Sequence, residues 1–372
     1  MLFFALLSIC SWLFAAANVV LPAVEPIADC TISNFDDVAT VVKDKTCTNI
    51  VVSNLIVPGG QSLQLHLKNN VTLTFEGTIK FEYAEWEGFL LKIQGKGITV
   101  IGAPGSVLDG QGALYWDGLG GNGGITKPKF FRIQATEGSV VKDINIKNCP
   151  KQCVSIGKSD LLTLSGFNVD VSDGDKDALG HNTDGFDIGS STNVVIQDVK
   201  VYNQDDCVAI NEGSNITISN FYCSGGHGLS LSVGMSTTTP ERNMVSDVTF
   251  TDCEVTNSDN GIHVKTHTDA TTGHIERVTY NNIKLSGRIR KYGINIQQDY
   301  RGGHSTGTPL GNIPITGLTL SSVTGAMDGS NSVPVYILCG SEGCSDWSWS
   351  GVSITGGAKA NNCNFSPNGF SC

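Results

Sequence analysis

Asn182-Thr183-Asp184, Gln204-Asp205-Asp206-Cys207, Gly226-His227-Gly228 and Gly261-Ile262-His263-Val264-Lys265 punctuate residues 181–265. Each cluster sits beside an alternating apolar pair: Phe186/Ile188, Val208/Ile210, Leu229/Leu231 and Ile262/Val264. Alternation over so short a run is the signal of a half-buried strand. The pair recurs upstream as Phe131/Ile133 and Val154/Ile156, and downstream as Ile294/Ile296 and Val335/Ile337. Successive pairs are about 20 to 40 residues apart, the interval of stacked solenoid coils.

Working outward, a second family of strands interleaves with these pairs. It includes Val141–Ile146, Leu162–Ser165, Val195–Val199, Ile216–Ser219, Val248–Thr251, Val278–Asn281 and Leu318–Ser321. Each coil therefore offers at least two strands. Strands stacked on their own successors pair in parallel and fill a common interior. The fold expected is all-β: a parallel β-helix, a single-stranded solenoid made right-handed by the chirality of parallel connections. An uncapped solenoid would expose its core, so Phe35–Val42 is expected to form a short covering helix. The glycine-rich stretch from Gly102 to Gly124 reads as a surface loop, because no phosphate-binding strand–loop–helix pattern surrounds it.

Asp184, Asp206 and His227 each stand two residues before the first apolar residue of their strand. Equivalent positions on successive coils stack about 4.8 Å apart, so the three should form one column. Asp205 enters from the side, and Lys265 lies further along the same face beside His263. Three carboxylates and an imidazole then converge outside the core, which no packing need explains. Paired carboxylates flanking a bond are the working parts of glycoside hydrolysis. Like charges so close raise one another's pKa, and an imidazole beside them can replenish a proton. Asp187 reads instead as a turn-bonding aspartate that ends a coil. Asn295 and Gln297 face outward and line the cleft, and Asn182 orients the turn or a substrate hydroxyl. The run Arg288-Ile289-Arg290-Lys291 serves an anionic polymer or is a solvated charge run. His263 and His267 lack a helix on which to share a metal, and no metal or cofactor is expected. His66, His181, His274 and His304 fall to surface or loop roles.

The chain has 372 residues, 44 glycines and a formal net charge of −11. It reads as one domain over 18–372, and its charge argues against nucleic acid as a partner. An acidic protein acting on an acidic polymer needs a local basic patch. Residues 2–17 are apolar and end in Ala15-Ala16-Ala17, which reads as a secretory signal peptide over 1–17. No later run is long enough for a membrane span, and a secreted protein is expected. Of 12 cysteines, Cys10 falls in that leader. The others offer four short-range pairs: Cys30–Cys47, Cys207–Cys223, Cys339–Cys344 and Cys363–Cys372. Cys149 and Cys153 offer a fifth, leaving Cys253 as a buried thiol. Sequons at Asn70, Asn215 and Asn364 permit glycosylation.

Asn182-Thr183-Asp184, Gln204-Asp205-Asp206, Gly226-His227-Gly228 and Gln297-Gln298-Asp299-Tyr300, with the four short-range cysteine pairs, resemble the polygalacturonases of glycoside hydrolase family 28 from about Cys30 to Cys372. The likeness is strongest to the secreted endo-acting enzymes of fungi and plant-feeding insects. It implies hydrolysis of α-1,4 bonds in polygalacturonate with inversion. By motif, Asp205 is then the general acid, Asp184 and Asp206 activate the water, and His227 modulates Asp205. Lys265 and Tyr300 hold galacturonate. An inverting pair is expected to stand about 6.5–9.5 Å apart. The resemblance also implies a monomer whose partners are pectin and a plant inhibitor protein. One position departs from the family's Arg-Ile-Lys: here it reads His263-Val264-Lys265. A histidine there holds a carboxylate only when protonated, so binding is expected to weaken and to recover toward acidic pH. A pectin-binding relative without turnover, and a hydrolase of rhamnogalacturonan or xylogalacturonan, are the alternatives.

Overall fold

The computed structural model describes residues 30–372, so the leader expected at 1–17 lies outside the described residues. The eight apolar pairs fall into one register. Phe131, Val154, Phe186, Val208, Leu229, Ile262, Ile294 and Val335 follow one another in parallel ladders. All sixteen side chains are at most 1% exposed. Because side chains alternate, that register leaves Asp187, Ser230, His263 and Asn295 on the opposite, outward face. A slip of one residue would drive this polar row into the core, so the register is strongly held.

The opposite wall repeats the device. Ile196, Ile218, Phe250, Tyr280 and Leu320 stack in parallel register and are at most 1% exposed. The long strands of this wall, such as Ser191–Tyr202 and Met244–Thr256, bend at a stacked corner. Asp198, Asn220, Asp252 and Asn282 there have φ between 47° and 57°, and side-chain bonds of 2.7 and 2.6 Å tie Asn220 to Asp198 and Asn282 to Asp252. Short Asx side chains tolerate this left-handed conformation. The same corner at Asp143, with φ 59°, splits the single strand expected over Val141–Ile146 into Ser139–Lys142 and Asn145–Lys147. The result is the expected parallel β-helix, with extra corners.

The N-terminal cap is a 3-10 turn, Phe35–Asp37, running into an α-helix, Val38–Lys43. Asn34 caps it by accepting from Asp36 N at 3.1 Å, and Val38, Val41 and Val42 close the core. The Gly102–Gly124 stretch is not a free surface loop. It contains the strand Val107–Asp109, and it buries Tyr115, whose hydroxyl accepts from Ala84 N. All five cysteine pairs form disulfides, and Cys253 is a buried free thiol pushed up to about 12 by burial. Asn70, Asn215 and Asn364 are exposed, but the Asn364 amide donates to Cys339 O at 2.8 Å. No helix among the described residues is long and apolar enough to cross a membrane.

Candidate active site

The outward face of the apolar-pair sheet forms the floor of a cleft of about 640 Å³. The acidic residues reach it from the turns that lead into the strands Phe186–Gly189, Val208–Ile210 and Leu229–Val233. These turns are locked from behind. Asn203 donates to the carbonyls of Thr183, Asp205 and Asp206 at 2.9–3.0 Å. Thr183 Oγ1 bonds Gln204 Oε1 at 2.8 Å, while Gln204 Nε2 donates to Val171 O. Two glycines let the His227 turn close. A Cβ on Gly226 would lie 1.7 Å from Asp205 O, and Gly228 has φ 89°.

His227 occupies the column position expected, yet its ring turns to Asp205 rather than to Asp206. Asp205 Oδ1 lies 3.0 Å from His227 Nδ1 and accepts from Asp206 N at 2.8 Å. Its Oδ2 accepts from Asn182 Nδ2 at 3.1 Å, and Asn182 in turn accepts from Gly121 N. Asp206 is held separately: Ser230 Oγ donates to Oδ1 at 2.6 Å and Lys265 Nζ to Oδ2 at 2.8 Å. Asp184 is 8% exposed, and its Oδ1 has no partner among the described residues.

These surroundings divide the carboxyls. Burial raises Asp205, but the facing His227, their hydrogen bond and Lys265 outweigh it and hold Asp205 well below the usual carboxylate range. Burial lowers His227, but Asp205 outweighs that and raises it. Asp184 is pushed well up by burial and then by Asp205, Asp187 and Asp206. Burial also opposes the charge on Lys265, yet Asp206 and other neighbours hold it above its ordinary value. One carboxyl thus favours the proton while another sits against an imidazole that favours its own.

The remaining expected residues divide into those that face the cleft and those that support it. Tyr300 is half-buried at the cleft, with its ring 5.2 Å from Lys265 Nζ. His263 is 6% exposed, with neither ring nitrogen hydrogen-bonded. Burial, then Lys265 and His227, push its pKa well below the ordinary value, so a charged imidazolium is disfavoured. Asn295 and Gln297 pair in register with His263 and Lys265 on the outward face, though both are buried. Gln298 and Asp299 are fully buried, Gln298 bonding Ile313 O and Gly343 O.

Two expectations change. Asp187 ends no coil: it stands within the strand Phe186–Gly189, between Ser155 and Ala209, and faces the cleft. Arg290 and Lys291 form no free basic run, because they clamp Asp259 at 2.6 and 2.7 Å. That carboxylate comes within 3.9 Å of His227 Nε2, so the imidazole lies between two acids. One oxygen each of Asp205 and Asp206 and a His227 nitrogen lie within 4.8 Å of one another. That spacing would suit a shared cation, but Ser230, Lys265 and the His227–Asp205 contact already occupy these groups.

Sequence reasoning passed over Ser230 and Asn203, which hold the acids, and Lys129 and Arg132, which line the cleft. A serine or lysine alternating outward in a strand carries no mark that separates it from ordinary surface. His181, assigned to a loop, does lie in one, but that loop is part of the cleft wall.

Residues 47–372 match the family model described as glycosyl hydrolases family 28. A polygalacturonase of Phaedon cochleariae is 56% identical over 96% of this chain and 98% of its own length. Endopolygalacturonase A of Aspergillus niger is 48% identical over 98% and 97% respectively. Among solved structures, endopolygalacturonase I of Stereum purpureum, complexed with two galacturonates, superposes with a TM-score of 0.79 at 36% identity, covering 90% of this chain and 96% of that one. The chain belongs to glycosyl hydrolase family 28.

Proposed function

We propose that the protein is an endo-polygalacturonase that hydrolyses α-1,4-galacturonosyl bonds inside polygalacturonate. One observation carries the reading: Asp205, hydrogen-bonded to His227, shares a cleft floor with the carboxyl of Asp184 and with Asp206, which Ser230 and Lys265 hold separately. Family membership and the two named relatives support the substrate.

In this reading Asp205 gives a proton to the leaving glycosidic oxygen, and His227 Nδ1 resupplies it. Asp184 and Asp206 hold a water and take its proton. Asp184 is the stronger acceptor once ionised, because its pKa is raised. Lys265, bound to Asp206 in the free site, turns to a galacturonate carboxylate with Tyr300 beside it. The acidic protein meets its acidic polymer through local cations, since Lys129, Arg132, Arg242 and Lys265 all line the cleft.

The protein acts outside the cell as a monomer after loss of residues 1–17, and a plant inhibitor protein is a partner. Five disulfides support an oxidising compartment. Incubation of purified protein with polygalacturonate tests the activity. Viscosity should fall ahead of the rise in reducing ends, with a ladder of saturated oligomers. Single-unit release from one end, or unsaturated products, would refute internal hydrolysis.

A further inference from the structure

Arg132 lies in the strand Lys129–Thr136, in register with Ser155 and, one coil on, with Asp187. Alternation turns its side chain outward, and it lines the cleft. The side chain leans over the next coil: a Cβ on Gly157 would lie 2.2 Å from Arg132 Nη2. Any residue with a side chain at Gly157 would displace the guanidinium. The neighbouring Gly189, paired with Gly157, has open space above it. On the other side the guanidinium carbon lies 5.8 Å from the centre of the Phe89 ring. The group is thus seated by a ring and by a floor cleared of side chains.

Its charge is unspent. Arg242 meets Glu212 at 3.5 Å and Lys265 meets Asp206 at 2.8 Å, but no carboxylate of the described residues lies within ion-pair reach of Arg132. Burial disfavours the charged form and Asp187 favours it, but a guanidinium stays protonated at any working pH. Asp187 is the acid nearest in register. Burial raises its carboxyl to about 7 against the pull of Lys129, so in acid it opposes the local positive charge less. The strand Val154–Gly157 stands two coils before Val208–Ile210, which puts the guanidinium about 10 Å along the axis from Asp205 and Asp206.

We propose that Arg132 anchors a carboxylate-binding subsite remote from the cleaved bond. Its donor fork takes the free carboxylate of a galacturonate unit lying over Gly157 and Gly189, and so favours long, unesterified chains. A planar fork matches a carboxylate bidentately, which a lysine cannot do, and a methyl ester would remove the charge it binds. The inference rests on the polygalacturonate reading above.

The test compares wild type, Arg132→Gln and Arg132→Lys on oligogalacturonates of graded length. Arg132→Gln should lower kcat/KM for polygalacturonate and long oligomers by about tenfold or more. The shortest oligomer that is cleaved should be unaffected, and Arg132→Lys should recover only part of the loss. Methyl-esterified substrate should narrow the gap between wild type and Arg132→Gln. Equal loss at every length, or no loss at any, would overturn the subsite. If wild type released nothing from polygalacturonate, the hydrolase reading would fall. Calorimetric binding of the same oligomers would then decide the subsite by itself: weaker binding of long oligomers by Arg132→Gln supports it, and unchanged affinity overturns it.

Discussion

His227 Nδ1 lies 3.0 Å from Asp205 Oδ1, while its Nε2 faces Asp259 at 3.9 Å. An imidazole between two carboxylates keeps its proton to higher pH, and the carboxylate it touches is held low. The free site therefore stores the leaving-group proton on the pair rather than on Asp205 alone.

Two pH limits follow, of opposite sign. The raised His227 stays protonated below its folded pKa and loses the stored proton as pH rises through it. Asp184, also raised, works as a base only when ionised, so activity is lost as pH falls through its pKa. The kcat profile should be a bell. His227→Gln should lower kcat by about 10- to 100-fold and remove the alkaline limb while leaving the acid limb. An unchanged alkaline limb would separate His227 from the proton store.

Ser230 donates to Asp206 at 2.6 Å from the next coil. Removing that hydroxyl leaves Lys265 as the other direct partner of Asp206. Ser230→Ala should cost about 1–3 kcal/mol in kcat with little change in KM, and Ser230→Thr should restore part of it. A change in KM alone would mean that Ser230 contacts substrate instead.

Burial and the adjoining Lys265 hold His263 well below its ordinary pKa. The acid-dependent gain in binding expected of a histidine here therefore shifts to more acidic pH. His263→Arg should lower KM for polygalacturonate at neutral pH and lower the melting temperature, since the site buries the new charge beside Lys265. An unchanged KM would remove position 263 from substrate binding.

Most of the frame was legible in the sequence, because eight apolar pairs repeat with period two and one ladder aligns them all. The column of Asp184, Asp206 and His227 followed from counting back along each strand. The side-chain directions did not follow. His227 chooses Asp205 because Gly226 lets its turn close over that backbone. Lys265 reaches back past Ser230's coil to Asp206, a choice made by burial and charge rather than by register. Asp187 is not placed by sequence alone, because an aspartate looks the same at a turn as on an outward strand position. Arg132 carries no mark in the sequence, because only the fold brings Gly157 beneath its guanidinium.

The central claim is that Asp205 protonates the leaving oxygen. It is tested most directly by measuring turnover of polygalacturonate by wild type and Asp205→Asn side by side, with binding of the polymer measured on both. The account predicts a loss of about 10²- to 10⁴-fold in kcat for a folded Asp205→Asn protein that still binds the polymer. Asp205→Asn turnover close to wild type would contradict it and move the acid elsewhere in the cluster.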